Sequence, residues 1–416
     1  VCRKHLQEIP SDSSNVSPNV ACSRDSGRAS EPSSMGMPAL KKGDENTLQD
    51  LQEPAFSPPL KRQKTREVEK DLDLGYQPRR PQEAESGVSW DALPDELLLS
   101  IFACLPLRDL LLGVSLTCKR WHNLSMDECL WQSLDLAAAN LAPGVIGQLL
   151  PAGVTIFRCP RSSIRSPLFK TDRPLRLQHM DLSNCTVSVG ALESILCRCK
   201  RLQNLSLEGL VISDLIMTSI AENPNMTRLN LCGCSGFSPE TLGLMLSNCF
   251  MLQELNLSWC DFTCFHVRVA VNTITATITQ LNLSGYRQNL QISDVKILVE
   301  RCPLISNLDL SDSVMLKPEC FQYLRQLSFL EHLALSRCYQ ISPASLLEFA
   351  RLRTLKTLQV FGIVSYCSLR LLRETFPHID INASCFTNIA RPSYGIEDRR
   401  MIWGMKCRLS LKRAYK

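Results

Sequence analysis

The chain has 416 residues, with 46 Lys and Arg against 41 Asp and Glu, so its formal net charge is only +5. Hydrophobic residues make up 44% of it and charged residues 21%, a composition typical of soluble globular proteins. The longest apolar stretch, around residues 97–116, is interrupted by Arg108 and Asp109 and does not predict a membrane span. A small net charge with few aromatic residues also does not favour nucleic-acid binding. We therefore expect neither a membrane nor a nucleic acid among the partners.

Residues 1–88 are predicted to form a disordered regulatory region. They are poor in Leu, Ile, Val and Phe and rich in Pro and Ser, so they cannot bury enough apolar surface to offset the entropy of ordering. Ser57 precedes a proline and is a candidate phosphorylation site. The nearby Lys61, Arg62 and Lys64 form a candidate nuclear-import patch, although a solvated run of charges explains them equally well.

Residues 89–131 have the pattern of three short helices. Pro94 suits a first helical turn, and the apolar residues that follow recur at helical spacing. These residues are Leu97, Leu98, Ile101, Phe102 and Leu105. Three such helices bury little core by themselves, so their surplus of large apolar side chains predicts docking onto another surface. A three-helix cap for the following domain, unrelated to any docking role, is the alternative.

The same segment resembles an F-box. The resemblance rests on Leu93-Pro94-Asp95-Glu96, Ile101-Phe102, Cys118-Lys119-Arg120-Trp121 and Leu130-Trp131, which occur in order at the family's spacing. It implies binding to the Skp adaptor, which tethers such proteins to a cullin scaffold in a ubiquitin ligase. The implied adaptor-binding residues are Leu93, Pro94, Leu97, Ile101, Phe102 and Trp121.

Residues 132–381 carry a Leu-x-x-Leu-x-Leu pattern that repeats every 24 to 27 residues. The clear units run from Leu177/Met180/Leu182 to Leu355/Leu358/Val360, with weaker units before them and a last one at Phe376/Ile379/Ile381. So regular a period predicts an α/β fold, a leucine-rich repeat solenoid of about ten units in the shape of a horseshoe. Each unit should place a short strand on the concave face and a helix on the convex face, and stacking is obligatory because no unit buries its apolar stripe alone.

The 20 cysteines are spread along the chain and are predicted to be free thiols. Several occupy the same place in successive units, three residues after the last leucine: Cys185, Cys234, Cys260 and Cys338. Cysteine has a small side chain that tolerates burial, so its repetition at one position of the unit indicates that these cysteines pack in the core. The pairs Cys197-x-Cys199 and Cys232-x-Cys234 lack a second pair at zinc-site spacing. We therefore expect no metal and no other cofactor.

The rim just after the strands is where we expect a binding surface. Side chains between the leucines should face the concave surface, among them Asn230, Glu254, Asn256, Asn282 and Asp309. Large or charged residues follow at the rim: Trp259, Tyr286, Arg287, Asp312, Arg337 and Tyr339. Trp, Tyr and Arg are typical anchors of binding hot spots. Any one of these side chains could be exposed at the rim without having a function, but their clustering in successive units favours a functional patch.

The tail, residues 382–416, is basic and contains Phe386, Ile389 and Trp403, so we expect it to pack back on the concave face. The six histidines are scattered and none lies in a known nucleophile signature. A Gly-rich phosphate loop is also missing from the sequence. The chain is therefore predicted to be non-catalytic.

The F-box, the repeats and segments such as Leu205-Ser206-Leu207-Glu208-Gly209-Leu210 and Ile389-Ala390-Arg391-Pro392 resemble the F-box and leucine-rich-repeat protein family. The resemblance implies a substrate receptor of a Skp-cullin-F-box ubiquitin ligase, found in nucleus and cytoplasm. It would recruit phosphorylated cyclin-dependent kinase inhibitors with the help of a small cyclin-dependent kinase regulatory subunit. The implied contact residues are Trp259, Arg287, Asp312, Arg337, Tyr339 and Phe386. A non-degradative leucine-rich-repeat scaffold or inhibitor is the alternative.

Overall fold

The computed structural model describes residues 90–393 and 401–410. Outside the described residues lie the predicted disordered region and its candidate sites Ser57, Lys61, Arg62 and Lys64. In the described part of the chain, no helix is long and apolar enough to cross a bilayer. The His, Cys, Asp and Glu side chains of the same part form no group of three or more that could hold a metal ion.

The first α-helix of the helical module begins after Pro94, whose extended backbone allows a helix to begin at the next residue. Its helices are α1 Asp95–Phe102, α2 Leu107–Asp109, α3 Ser115–Thr117, α4 Lys119–Ser125 and α5 Glu128–Trp131, with a π-helical turn at Leu110–Val114 and a 3-10 turn at Trp90–Ala92. Arg120 ties α4 to the start of α1, because its guanidinium donates to the Asp95 carboxylate (2.9 Å from Nε) and to the carbonyl oxygen of Leu93 (2.6 Å). The three predicted helices correspond to α1, the continuous segment from α2 to α3, and α4.

A solenoid of strand–helix units follows the helical module. Its convex side carries the helices α6 Val145–Leu149, α7 Val189–Leu196, α8 Asp214–Ala221, α9 Pro239–Asn248, α10 Cys264–Thr273, α11 Ile292–Arg301, α12 Phe321–Leu324 and α13 Tyr366–Thr375. Three 3-10 helices lie at Leu150–Ala152, Pro318–Cys320 and Ser345–Arg351. Serine caps the N-terminus of several helices; in α8, for example, Ser213 accepts from the backbone N–H of Ile216.

The strands are short. They are β1 Ser133–Asp135, β2 Asn140–Leu141, β3 Ile156–Arg158, β4 Ser163–Ile164, β5 His179–Asp181, β6 Thr186–Val187, β7 Asn204–Ser206, β8 Arg228–Asn230, β9 Glu254–Asn256, β10 Gln280–Asn282, β11 Asn307–Asp309, β12 His332–Ala334, β13 Thr357–Gln359, β14 Asp380–Ile381, β15 Met401–Ile402, β16 Met405–Lys406 and β17 Leu409–Ser410. The main sheet has twelve strands in the order β14-β13-β12-β11-β10-β9-β8-β7-β5-β3-β1-β17. Its strands from β1 to β14 follow one another at the repeat spacing. The predicted leucine-rich repeat solenoid is confirmed.

The leucine triplets lie in register along the main sheet. The middle residue of one triplet pairs with the middle residue of the next, as Leu255 does with Leu281. The prediction was wrong by two residues in the final unit, where Ile381 rather than Ile379 pairs with Leu358. The reason is that α13 continues to Thr375, so the chain reaches the sheet only at β14.

Side-chain hydrogen bonds join successive units at the position that the repeating cysteines occupy. The Cys234 thiol donates to the carbonyl oxygen of Leu207 (3.1 Å), and the Cys260 thiol donates to that of Leu231 (3.0 Å). Ser162, Cys185 and Cys338 make the same bond to the unit before theirs. Burial raises the pKa of the Cys234 thiol to about 12, so the thiol keeps its proton and can donate. The cysteines thus satisfy carbonyl groups between units as well as fill space.

The tail crosses the concave face after the last repeat. The Thr387 hydroxyl donates to the Asp309 carboxylate (2.8 Å), and the Asn256 side-chain amide donates to the carbonyl oxygen of Ile389 (3.2 Å). These bonds reach first β11 and then β9, so this stretch of the tail runs backwards along the sheet toward its N-terminal end.

The end of the tail adds a strand beside the first repeat. Strand β17 pairs in parallel with β1, placing Leu409 opposite Leu134. Without it, β1 would present an unpaired edge next to the helical module, and covered edges protect sheets from association. The helical module and the solenoid share one buried core, since Leu130 and Trp131 belong to the same cluster as the repeat leucines.

Candidate adaptor-binding face and substrate-binding rim

The helical module exposes several large apolar side chains to solvent. They are Trp90, Leu97, Ile101, Leu112 and Leu116, of which Leu116 is 74% exposed. So many in so small a module indicate an interaction surface. Sequence reasoning missed Leu112 and Leu116; the run Leu110-Leu111-Leu112 was the available signal, because a helix cannot bury three consecutive side chains on one face.

The six predicted adaptor-binding residues differ in exposure. Pro94, Leu97 and Ile101 are exposed, Leu93 and Trp121 are half-buried, and Phe102 is buried. The Phe102 ring meets the Trp121 ring edge-on, with 5.2 Å between centroids. Phe102 lies four residues after the buried Leu98, so both point from α1 into the core. We therefore correct the assignment of Phe102 from adaptor contact to core residue.

At the rim, the backbone leaves each strand through a left-handed residue. In successive units this residue is Asn184, Gly209, Gly233, Trp259, Gly285, Asp312, Arg337 and Gly362, with φ between 55° and 95°. Glycine adopts this conformation freely, whereas other residues pay on the order of 1–2 kcal/mol. Three predicted contact residues therefore have a strained backbone conformation: Trp259, Asp312 and Arg337. Backbone strain of this kind is found most often at functional sites.

Glycine in the following unit makes room for the large rim side chains. A Cβ atom at position 285 would stand 2.7 Å from Cδ2 of Trp259, so the indole can lie where it does only because residue 285 is glycine. Likewise, a Cβ atom on Gly362 would stand 3.2 Å from Cγ of Arg337. Trp259 is still 48% exposed, so its ring presents a wide apolar surface at the rim.

Arg337 and Asp312 form an ion pair between neighbouring units. Nε of Arg337 donates to Oδ1 of Asp312 (2.6 Å), and Nη2 donates to Oδ2. This hydrogen bonding raises the pKa of Arg337. The Asp312 side chain is buried, which corrects its prediction as an exposed rim residue. The pair fixes the guanidinium in the strained turn while about half of the Arg337 side chain remains open to solvent.

A hollow of about 260 Å³ lies between these rim residues and the tail. We call it the rim hollow; its lining includes Trp259, Asp312, Arg337, Phe386, Thr387 and Arg391. It therefore brings together four of the six predicted contact residues, drawn from three units and the tail. Arg287 lines a different hollow, with Asp261 and Asn289, and Tyr339 stands exposed on the surface.

Tyr286 was predicted as a rim residue, and that prediction was wrong. Its side chain is only 3% exposed and its ring stacks on Phe262, with 5.1 Å between centroids. Its hydroxyl donates to the carbonyl oxygen of Leu257. Tyr286 therefore takes the place that cysteine has in neighbouring units, as a donor between units.

Asn256, Asn282 and Asp309 face the concave side as predicted, where they bond the tail, and with Asn230 they are buried rather than open to a ligand. All four are buried, and each Oδ1 accepts from the backbone N–H two residues further on; Ser258 N donates to Asn256 at 3.0 Å, for example. The strands are only three residues long, so the chain must turn at once, and these side chains hold that turn. The tail then bonds to Asn256, Asn282 and Asp309, whereas the Asn230 amide donates to Ser206 and Glu208.

Family comparisons agree with this arrangement. The family described as the SKP2 LRR domain matches residues 144–410, more than half of the chain. The chain belongs to this family. The family described as F-box-like matches residues 90–137, which contain the helical module and β1.

Three relatives share parts of this SKP2-type chain. F-box/LRR-repeat protein 12 of Homo sapiens is 43% identical over 58 residues, which are 14% of this chain and 18% of that protein. F-box protein SKIP19 of Arabidopsis thaliana is 24% identical over 275 residues, 57% of this chain and 85% of that protein. Transport inhibitor response 1-like protein of Oryza sativa is 30% identical over 129 residues, 28% of this chain and 21% of that protein. The chain thus spans less than a fifth of the length of the human relative it matches.

One buried carboxylate in the SKP2-type repeats should make stability depend on pH. Burial raises the pKa of Asp309 above its value in the unfolded chain, which is near 3.9. At a pH between these two pKa values, the folded state therefore binds more protons than the unfolded state. The unfolding free energy should therefore fall as pH rises through that window. Asp309→Asn keeps the acceptor, as Asn282 does in the neighbouring unit, and should remove this slope. Urea unfolding from pH 4 to 8 measures it, with the exposed Asp261→Asn as control; a less stable Asp309→Asn protein at neutral pH would contradict the expectation.

Proposed function

We propose that the chain is the substrate-recognition subunit of a Skp-cullin-F-box ubiquitin ligase, in which its role is non-catalytic. The observation that carries the proposal is the combination, on one continuous core, of an exposed apolar helical module and a strained rim with an open hollow. The F-box-like match supports adaptor binding, and the SKP2 LRR domain match supports substrate binding by the solenoid.

The finer proposal is a receptor of the S-phase kinase-associated protein 2 type, acting in nucleus and cytoplasm. Its substrates would be phosphorylated cyclin-dependent kinase inhibitors, presented with a small cyclin-dependent kinase regulatory subunit. What supports this is the chemistry of the rim: the exposed Trp259 and Phe386 offer apolar anchors, and the partly exposed Arg337 offers a charged donor.

Charging the helical module should abolish adaptor binding. The double variant Leu97→Asp/Leu116→Asp places two carboxylates on exposed apolar positions and should weaken binding of the Skp adaptor by at least about a hundredfold, on the scale of interface hot spots. The measurement is co-purification with the adaptor and cullin, followed by titration calorimetry. Leu215→Asp is the matched control, because Leu215, on α8 of the solenoid, has an exposure between those of Leu97 and Leu116. Normal adaptor binding by the double variant would favour the non-degradative scaffold instead.

Truncating the exposed rim aromatics should weaken substrate recruitment while adaptor binding remains. Tyr339→Ala and Phe386→Ala should each cost about 1–3 kcal/mol of binding, and because both side chains are exposed, folding should change by no more than about 0.5 kcal/mol. The assay is ubiquitination of the phosphorylated inhibitor by the reconstituted ligase with the regulatory subunit. Phe329→Ala, an exposed aromatic elsewhere on the solenoid, is the control. Full activity of both rim variants would place recognition elsewhere.

A further inference from the structure

A second hollow, of about 290 Å³, lies at the ends of β3 and β5 beside the tail. We call it the basic pocket; its charged lining residues are Arg158, Arg161, Asp181, Glu208 and Arg391. It lies on units of the solenoid that precede those carrying Trp259 and Arg337.

The unused hydrogen-bonding groups of the basic pocket are donors. Arg158 is almost fully buried and gives Nη1 to both oxygens of Asp135 (3.0 Å each), but its buried Nε has no hydrogen-bond partner among the described residues. The buried Nε of Arg391 also has no partner within hydrogen-bonding distance there. Arg161 is exposed, and in the described part of the chain its guanidinium makes no hydrogen bond or ion pair. Buried donors without acceptors are costly, so this site suits a ligand that brings acceptors.

The carboxylates of the pocket already have internal partners. Oδ1 of Asp181 accepts from the backbone N–H and the hydroxyl of Ser183 (3.0 and 2.6 Å). Glu208 accepts from the Asn230 amide (3.0 Å), and its Oε2 lies 3.6 Å from Nε of Arg391, too far for a hydrogen bond. Since Arg158 pairs with Asp135 and Arg391 lies beside Glu208, Arg161 is the arginine of this pocket that has no ion-pair partner among the described residues.

The basic pocket adjoins the rim hollow. Arg391 lines both, so the two hollows meet at this tail residue. An extended peptide seated at Trp259 and Arg337 can therefore continue over Arg391 toward Arg161 on the same side of the sheet.

We propose that the basic pocket is a second subsite for the same substrates and binds an acidic or phosphorylated side chain. The rest of the extended substrate peptide occupies the rim hollow. The inference rests on the proposed function, because it assigns the pocket to that substrate class. Guanidinium groups bind carboxylate and phosphate oxygens through charge-assisted hydrogen bonds, and Arg158, Arg161 and Arg391 all line this one cavity.

The test uses the full chain bound to the Skp adaptor, without the regulatory subunit. The probe is a fluorescein-labelled peptide with one phosphoserine flanked by glutamates, together with its unphosphorylated form, and binding is measured by fluorescence polarisation at low salt. Arg161→Ala should weaken the phosphopeptide about tenfold and Arg161→Glu should abolish its binding. Arg165→Ala, which removes an exposed arginine outside both hollows, should change affinity less than twofold. Arg158 is left unchanged, because it holds Asp135 in the core.

Two outcomes would overturn the proposal. Unchanged binding by Arg161→Glu would show that the pocket takes no acidic peptide, and an equal loss in Arg165→Ala would show attraction to general surface charge alone. In the reconstituted ligase, Arg161→Ala should raise the KM for the phosphorylated inhibitor without changing kcat. The peptide-binding assay contains no ligase, so its result does not depend on the ubiquitination assay of Tyr339→Ala and Phe386→Ala. A failure of the ubiquitination assay would therefore leave the pocket result valid. A failure of the peptide assay would likewise leave the proposed function untouched.

Discussion

Arg408→Ala is expected to lower the free energy of unfolding by about 2–4 kcal/mol. The Arg408 guanidinium donates to the carbonyl oxygens of Ala103 (2.7 Å), Phe102 (2.9 Å) and Leu130 (3.1 Å). The first two carbonyls lie at the C-terminal end of α1, and the third lies in the single turn of α5; such carbonyls have no partner within their own helix. A cation also stabilises the negative end of a helix dipole. Removing it takes the donor away from the Ala103 and Leu130 carbonyl oxygens, at about 1–3 kcal/mol for each that finds no water, while Phe102 still accepts from the Leu105 N–H.

Matched variants separate this effect from a general loss of charge in the tail. Lys406→Ala removes an exposed cation two residues away and should leave the urea midpoint unchanged. Arg408→Lys should recover only part of the stability, because an ammonium group cannot span carbonyls from two helices as the guanidinium fork does. Hydrogen exchange should quicken in α1 and α5 of the Ala variant. Equal urea midpoints for Arg408→Ala and Lys406→Ala would show that the hydrogen bonds of the Arg408 guanidinium contribute nothing to stability.

Gly285→Ala is expected to weaken rim binding at least about tenfold, although residue 285 need not touch the partner. A Cβ atom there would stand 2.7 Å from the Trp259 ring, so the indole must leave its position at the rim. The left-handed backbone, with φ of 95°, also costs the alanine variant about 1–2 kcal/mol of stability. The measurement is titration of the regulatory subunit and phosphopeptide against the adaptor-bound chain.

Gly233→Ala provides a control with the same backbone strain. Gly233 has φ of 68° at the equivalent turn, but a Cβ atom there would approach only backbone atoms of Gly209, at 3.8 Å or more. The two alanine variants should therefore lose similar stability, while only Gly285→Ala loses binding. In a double-mutant cycle, adding Trp259→Ala to Gly285→Ala should cost little more than Trp259→Ala alone. Equal binding by both glycine variants would show that the indole position does not matter.

The sequence by itself determined the features that depend on local periodicity. A Leu-x-x-Leu-x-Leu unit must bury its apolar stripe against a copy of itself, so the period alone predicts parallel strands in register, as Leu255 and Leu281 are. The helical spacing around Leu97 and Ile101 in the same way predicted the helix and its exposed face. Trp259 and Arg337 were found at the rim because they stand at a fixed offset from those leucines.

Only the tertiary structure decided the features that depend on contacts between distant parts of the chain. The pairing of β17 with β1 and the bond from the Arg408 amide to the Ser133 hydroxyl join residues 275 positions apart, and no period in the sequence encodes them. Alternation within a strand placed Asn256 and Asp309 on the concave side, but their burial depends on the tail that covers them and could not be predicted from it. Tyr286 was misassigned because its burial is decided by the ring of the neighbouring unit, on which it stacks. Local spacing fixes where a side chain leaves the backbone, whereas its exposure is set by what packs over it.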